Sequence, residues 1–126
     1  MAAAQKTILK NNRQQYVVHL YGQAGSSSTI SLTDLVRDDE TTSGALTVNI
    51  HSVTFGTYDT GVITITRGSS SIGVYNGSDW VDYQGYGMPI GNTTDIAVTF
   101  TASPGWVILD LWKKSGYVEP LTNVGV

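Results

Sequence analysis

The stretch Trp106-Val107-Ile108-Leu109-Asp110-Leu111-Trp112 decides how this 126-residue chain folds. Successive side chains of a strand point to opposite faces, so a period of two sorts these residues into two sets. Val107, Leu109 and Leu111 form one face. Trp106, Ile108 and Trp112 form the other, interrupted by Asp110. A strand apolar on both sides is either central and covered twice, or lies against another protein. A domain this small with no helix to cover a sheet favours the second arrangement. Val107, Leu109 and Leu111 are therefore expected in the core, and Trp106, Ile108 and Trp112 in a protein–protein contact.

Working back from this strand, Asp95-Ile96-Ala97-Val98-Thr99-Phe100-Thr101 alternates cleanly, and Ser103-Pro104-Gly105 turns the chain between the two. Earlier, Val62 to Arg67 reads as a strand, Gly68 to Ser71 as a turn, and Ile72 to Tyr75 as its antiparallel return. Asn76-Gly77 is the strongest short hairpin signal and leads into Trp80-Val81-Asp82-Tyr83. Leu46, Val48 and Ile50 alternate with polar residues. After His51 the apolar set slips to Val53 and Phe55, the mark of a β-bulge. Tyr16 to Tyr21 and Thr29 to Leu32 are further strands. Only Thr33 to Glu40 has any helical character, with Thr33 as the candidate cap, and a single turn is expected there. About eight short strands without a crossover helix predict an all-β fold, an antiparallel β-sandwich or jelly-roll-like barrel. It spans residues 15–117. Residues 1–14 form an N-terminal arm or short edge strand, and 118–126 a C-terminal tail.

Composition narrows the function. Charged residues are 13% of the chain, the net charge is −3 and there is no cysteine. Disulfides and thiolate chemistry are excluded, and a surface short of clustered Lys and Arg is no nucleic-acid footprint. No run of about 18 apolar residues suggests a membrane helix, and the first residues lack the apolar stretch of a secretory signal, so synthesis in the cytoplasm is expected, with use there or in something assembled there. Lys6, Lys10 and Arg13 give the arm +3 and leave −6 for the remainder. That makes the arm a natural reach toward an acidic partner.

No pattern calls for catalysis, a metal or a cofactor. The two histidines, His19 and His51, lie in strands, and no G-x-S-x-G elbow accompanies the many serines. Asp38-Asp39-Glu40 lacks calcium-loop spacing and reads as a solvated acidic loop. Asp79 and Asp82, three apart on one strand, do not make a glycosidase pair, which a cleft would have to set. The glycine-rich segment around Gly85, Gly87 and Gly91 precedes a strand, not a helix. It fits a sharp reversal or close backbone approach better than a phosphate cradle. Trp80, Tyr83 and Tyr86 fall close together and offer a possible exposed aromatic platform for a glycan or a partner.

The order Thr7-x-Leu9-Lys10-Asn11-x-Arg13-Gln14-Gln15, a Val-rich strand, a Gly-Ser turn and an Ile-Ser-Leu strand is followed by Thr-Val-Asn-Ile at 47–50 and by Gly61 to Arg67. Over residues 7–117 this resembles small virion structural proteins of tailed bacteriophages, of the capsid decoration (cement) or neck type. The resemblance implies a non-enzymatic particle component that binds other virion proteins, above all the major capsid protein, and self-associates there. It brings no catalytic or metal residue with it. The alternatives are a neck or tail structural protein and a carbohydrate-binding β-sandwich module using the aromatic platform.

Overall fold

The computed structural model describes residues 4–12, 14–37, 40–83, 87–88 and 91–118. Nine strands are formed among them: β1 Gln5–Asn11, β2 Gln15–Gly22, β3 Ser27–Ile30, β4 Thr41–Thr57, β5 Val62–Arg67, β6 Ser70–Tyr75, β7 Ser78–Asp82, β8 Ile96–Thr101 and β9 Gly105–Val118. They build two sheets, β1-β2-β9-β4-β7 and β3-β8-β5-β6. Every strand pair is antiparallel. From β2 onward the chain crosses between the sheets at every step but β5 to β6, which form a hairpin in one sheet; this is the order of a jelly roll, and β1 is added outside β2. The expected all-β sandwich is thus the fold observed, and the 1–14 segment contains its edge strand.

The core lies between the sheets. Alternation along β2 buries Tyr16, Val18 and Leu20, along β9 Val107, Leu109 and Leu111, and along β5 Ile63 and Ile65, all at 0% exposure. In β4 the ladder with β9 shifts register between Ile50 and Ser52. The extra residue at His51 lets both Ile50 and Val53 face inward, as the slip in the sequence pattern requires. Gly87 sits at φ +81°, and a Cβ there would stand 2.7 Å from the Ile50 carbonyl oxygen. The glycine is what lets Met88 bond its N–H to that carbonyl at 2.9 Å.

Three local expectations are corrected. Asn76-Gly77 does not close a hairpin, because β6 and β7 belong to different sheets. It carries the chain across the sandwich and is tied to the end of β4 instead: Gly77 N–H donates to Thr57 Oγ1 at 2.7 Å and Thr57 N–H to Gly77 O at 2.8 Å. The helical piece is a 3-10 turn, Leu32–Leu35, entered from Ser31 rather than Thr33. Asp34 closes it by accepting the Ser31 N–H at 3.0 Å. Glu40 is not solvated. It is buried and paired with buried Lys113 at 3.0 Å, while Arg37 N–H bonds the same carboxylate oxygen at 2.9 Å. Asp38 and Asp39 lie outside the described residues.

Arg67 is the largest fully buried side chain, at 1% exposure. It meets backbone carbonyls: Nη1 donates to Val48 O, and Nη2 to Thr94 O at 2.7 Å and to Asn92 O at 3.3 Å. These bonds replace the water it lost and fasten the 92–94 loop to β4. Burial pulls its pKa down to about 10.

Candidate functional site

The outer face of the five-stranded sheet, turned away from the core, gathers most of the residues singled out above. Antiparallel partners share a face, so the ladders place side chains in rows. One row runs Tyr21, Trp106, Gly56; the next His19, Ile108, Thr54, Trp80; the next Val17, Asp110, Ser52, Asp82; the last Gln15, Trp112, Asn49. Trp106, Ile108 and Trp112 are half-buried there while Val107, Leu109 and Leu111 are sealed inside. The two faces of β9 therefore separate as the sequence predicted.

Each tryptophan of β9 has a seat. A Cβ on Gly56 would come within 2.5 Å of Trp106 Nε1, so the indole lies directly over that glycine. The His19 ring lies on the other side, 6.2 Å from it between centroids. Trp112 stacks on His51, centroids 4.3 Å apart and planes 2° from parallel. The bulge keeps His51 and Ser52 together on this face. Sequence reasoning saw the bulge and the tryptophans but not that the histidines would be laid against them, because stacking depends on cross-strand register.

Asp110 interrupts the apolar row and is met from within the sheet. Gln15 Nε2 donates to its Oδ1 at 2.7 Å, and His51 Nδ1 stands 3.6 Å from its Oδ2. The face thus offers flat indole and aliphatic surface around one anchored carboxylate. Among the described residues neither histidine has a hydroxyl hydrogen-bonded to it, and no group of three or more His, Asp or Glu side chains stands together as a metal site.

The proposed aromatic platform is not assembled by the described residues. Trp80 is 58% exposed and shares the outer face with Thr54. Tyr83 instead packs toward the core, its hydroxyl 2.8 Å from that of Tyr75. Burial, then the bond to Tyr83, raises the Tyr75 pKa. Tyr86 and Arg13 lie outside the described residues. Lys6 and Lys10 are exposed on edge strand β1, with Lys6 3.5 Å from Asp34. A separate open cavity of about 390 Å³ lies at Ser31, Leu46, Thr93 and Asp95. Its carboxylate, on Asp95, accepts the Leu32 N–H at 3.2 Å.

Fold and site together define a jelly-roll domain with an apolar, histidine-lined outer sheet face. No protein-family model matches the chain, and no curated protein matches it. Among solved structures it is similar to a cupin domain from Bordetella pertussis, at 10% identity over 90% of this chain and 95% of that one, with a TM-score of 0.47. It is also similar to a conserved protein with a double-stranded β-helix domain from Klebsiella pneumoniae, at 7% identity, 94% and 84% coverage and a TM-score of 0.46. An RmlC-like cupin from Shewanella frigidimarina matches at 13% identity, 88% and 76% coverage and a TM-score of 0.43.

Proposed function

We propose that the chain is a non-enzymatic structural component of a tailed-phage particle, a decoration protein that seats the outer face of its five-stranded sheet on the major capsid protein. The observation that carries the reading is the apolar face of Trp106, Ile108 and Trp112 on a sheet over which the described residues place no second layer. Such a face, with Trp80 58% exposed beside it, is costly in water and becomes favourable when a partner covers it. The segments that resemble phage virion proteins fall on β1, β2, β3, β4 and β5, which are framework. The resemblance therefore concerns how the domain is built as well as where it works.

The test is co-sedimentation with capsids stripped of decoration protein, alongside mass spectrometry of purified particles. Saturable binding to capsids is expected, and it should fall at least tenfold in Trp106→Ser/Trp112→Ser protein that still melts cooperatively. Recovery of the chain only with tails or necks would move it to that part of the particle, and absence from particles would end the proposal.

A further inference from the structure

The two edges of the five-stranded sheet are chemically complementary. One edge is β1, with Lys6, Lys10 and no acid; the other is β7, with Asp79, Asp82 and no base. Among the described residues five large apolar side chains are exposed, and three of them, Ile8, Leu9 and Trp80, belong to these two strands. An open edge is a template for another strand, and lysines placed on it ordinarily deter pairing. Here each lysine has a carboxylate at its own level on the opposite edge. Followed across the ladders, Lys6 shares a row with Leu20, Val107, Phe55 and Asp79, and Lys10 with Val17, Asp110, Ser52 and Asp82. Between them, Thr7 is level with Trp80 and Ile8 with Val81. Lys6 and Lys10 are one residue further apart than Asp79 and Asp82, and the bulge between Ile8 and Lys10 takes up the difference.

The backbone agrees with this register. On β7, Gly77 O and Tyr83 N–H bond toward β4, so alternation turns the N–H and C=O groups of Ser78, Trp80 and Asp82 outward. On β1, Ala4 N–H points away from β2 to Ser27 O, which places Lys6 and Ile8 outward by the same rule. Four antiparallel steps separate β1 from β7, so the two run in the same direction. A second copy displaced along the sheet would thus bring its β7 beside β1 as a parallel pair. In a parallel ladder each residue bonds to the neighbours of the one opposite. Lys6, opposite Asp79, would meet Ser78 and Trp80; Ile8, opposite Val81, would meet Trp80 and Asp82. In the single chain, Asp79 Oδ1 holds the Trp80 N–H at 2.7 Å. A docking strand takes over that N–H and releases the carboxylate to Lys6, which exchanges its 3.5 Å pair with Asp34 for it.

We infer that the chain self-associates head to tail by sheet extension, β7 of one copy pairing in parallel with β1 of the next, Lys6 on Asp79 and Lys10 on Asp82. The contact is heterologous and propagates into a ring or a filament. It uses the sheet's edges rather than its outer face, and it stands whether or not the particle reading does.

Charge-swapped variants test it by sedimentation velocity. Wild type should exceed the 13.5 kDa of one chain increasingly with concentration. It should return to that mass in about 1 M salt, where the Debye length is roughly 3 Å. Lys6→Glu/Lys10→Glu and Asp79→Lys/Asp82→Lys should each stay single alone, and an equimolar mixture should assemble, since each then offers the edge the other lacks. Should the aspartate pair unfold on exchange, as a melt would reveal, Lys6→Glu and Asp79→Lys alone complete the same cross. Wild type that stays single into the millimolar range, variants that assemble alone as wild type does, or a mixture that fails to assemble would each overturn the inference.

Discussion

Leu109→Ala and Trp112→Ser, made on opposite faces of β9, should separate folding from docking. Leu109 is fully buried, and truncating such a side chain removes its transfer free energy and leaves a cavity, about 2–5 kcal/mol together. Trp112 is half-buried on the outer face, and its principal contact is the stack on His51 at 4.3 Å. An aromatic pair of this kind contributes about 0.5–1.5 kcal/mol beyond its area. For a domain of this size one kcal/mol moves the melting temperature by about 4 °C. Leu109→Ala should therefore lower it by about 8–20 °C, while in Trp112→Ser loss of the stack accounts for about 2–6 °C, to which the apolar area the indole shares with its own sheet adds. Capsid binding, measured well below either midpoint, should reverse the order, with Trp112→Ser losing more. Melting curves and co-sedimentation on the same preparations read both quantities. If Trp112→Ser fails to melt cooperatively, or binds capsids as well as Leu109→Ala does, Trp112 belongs to the intrachain core and the outer face is no interface.

The buried ion pair gives a second prediction: Lys113→Met leaves the Glu40 carboxylate buried without its lysine and should cost about 3–5 kcal/mol, read by urea titration. Burial opposes ionisation of Glu40, but the Arg37 N–H and Lys113 outweigh it and hold its pKa below the ordinary value. A carboxyl depressed in the folded state stabilises above its unfolded pKa of 4.5 and loses that contribution as pH falls through the folded value, so Lys113→Met should flatten the acid limb of stability against pH. Arg67→Met strips donors from the carbonyls of Val48, Asn92 and Thr94, and amide hydrogen exchange at 92–94 should accelerate well before global unfolding. Gly56→Val drives a side chain into the Trp106 indole, and tryptophan fluorescence should shift to the red with a small change in melting temperature.

Much of this architecture is legible from period-two patterning, because one residue's slip in a strand would expose a whole face. The two faces of β9 and the bulge at His51 follow from that rule. Arg67 and Lys113 obey the same rule: they continue the inward sets Ile63, Ile65 and Val107, Leu109, Leu111, although their charge alone points to the surface. Glu40 carried no such sign, since it precedes its strand and is buried by a lysine distant in sequence. Asn76-Gly77 misled because turn chemistry specifies a local conformation and not which sheet the next strand joins. The stacking of His51 on Trp112 likewise needs the register between β4 and β9, which tertiary packing sets.

The central place of β9 bears on how the chain acquires its structure. β9 lies between β2 and β4, and Gln15 reaches Asp110 across 95 residues of sequence. Until the ribosome has delivered that strand, β2 and β4 have no common neighbour, and Val18, Leu20, Val53 and Phe55 lack half of their packing. Loop closure over such distances is slow, placing folding in the range of about milliseconds to seconds typical of non-local β topologies. During that interval the nascent chain displays apolar strands with free edges, the species that chaperones bind and that clumps when crowded. Yield from overexpression should therefore depend on temperature and chaperone supply more steeply than the stability of the finished domain would suggest.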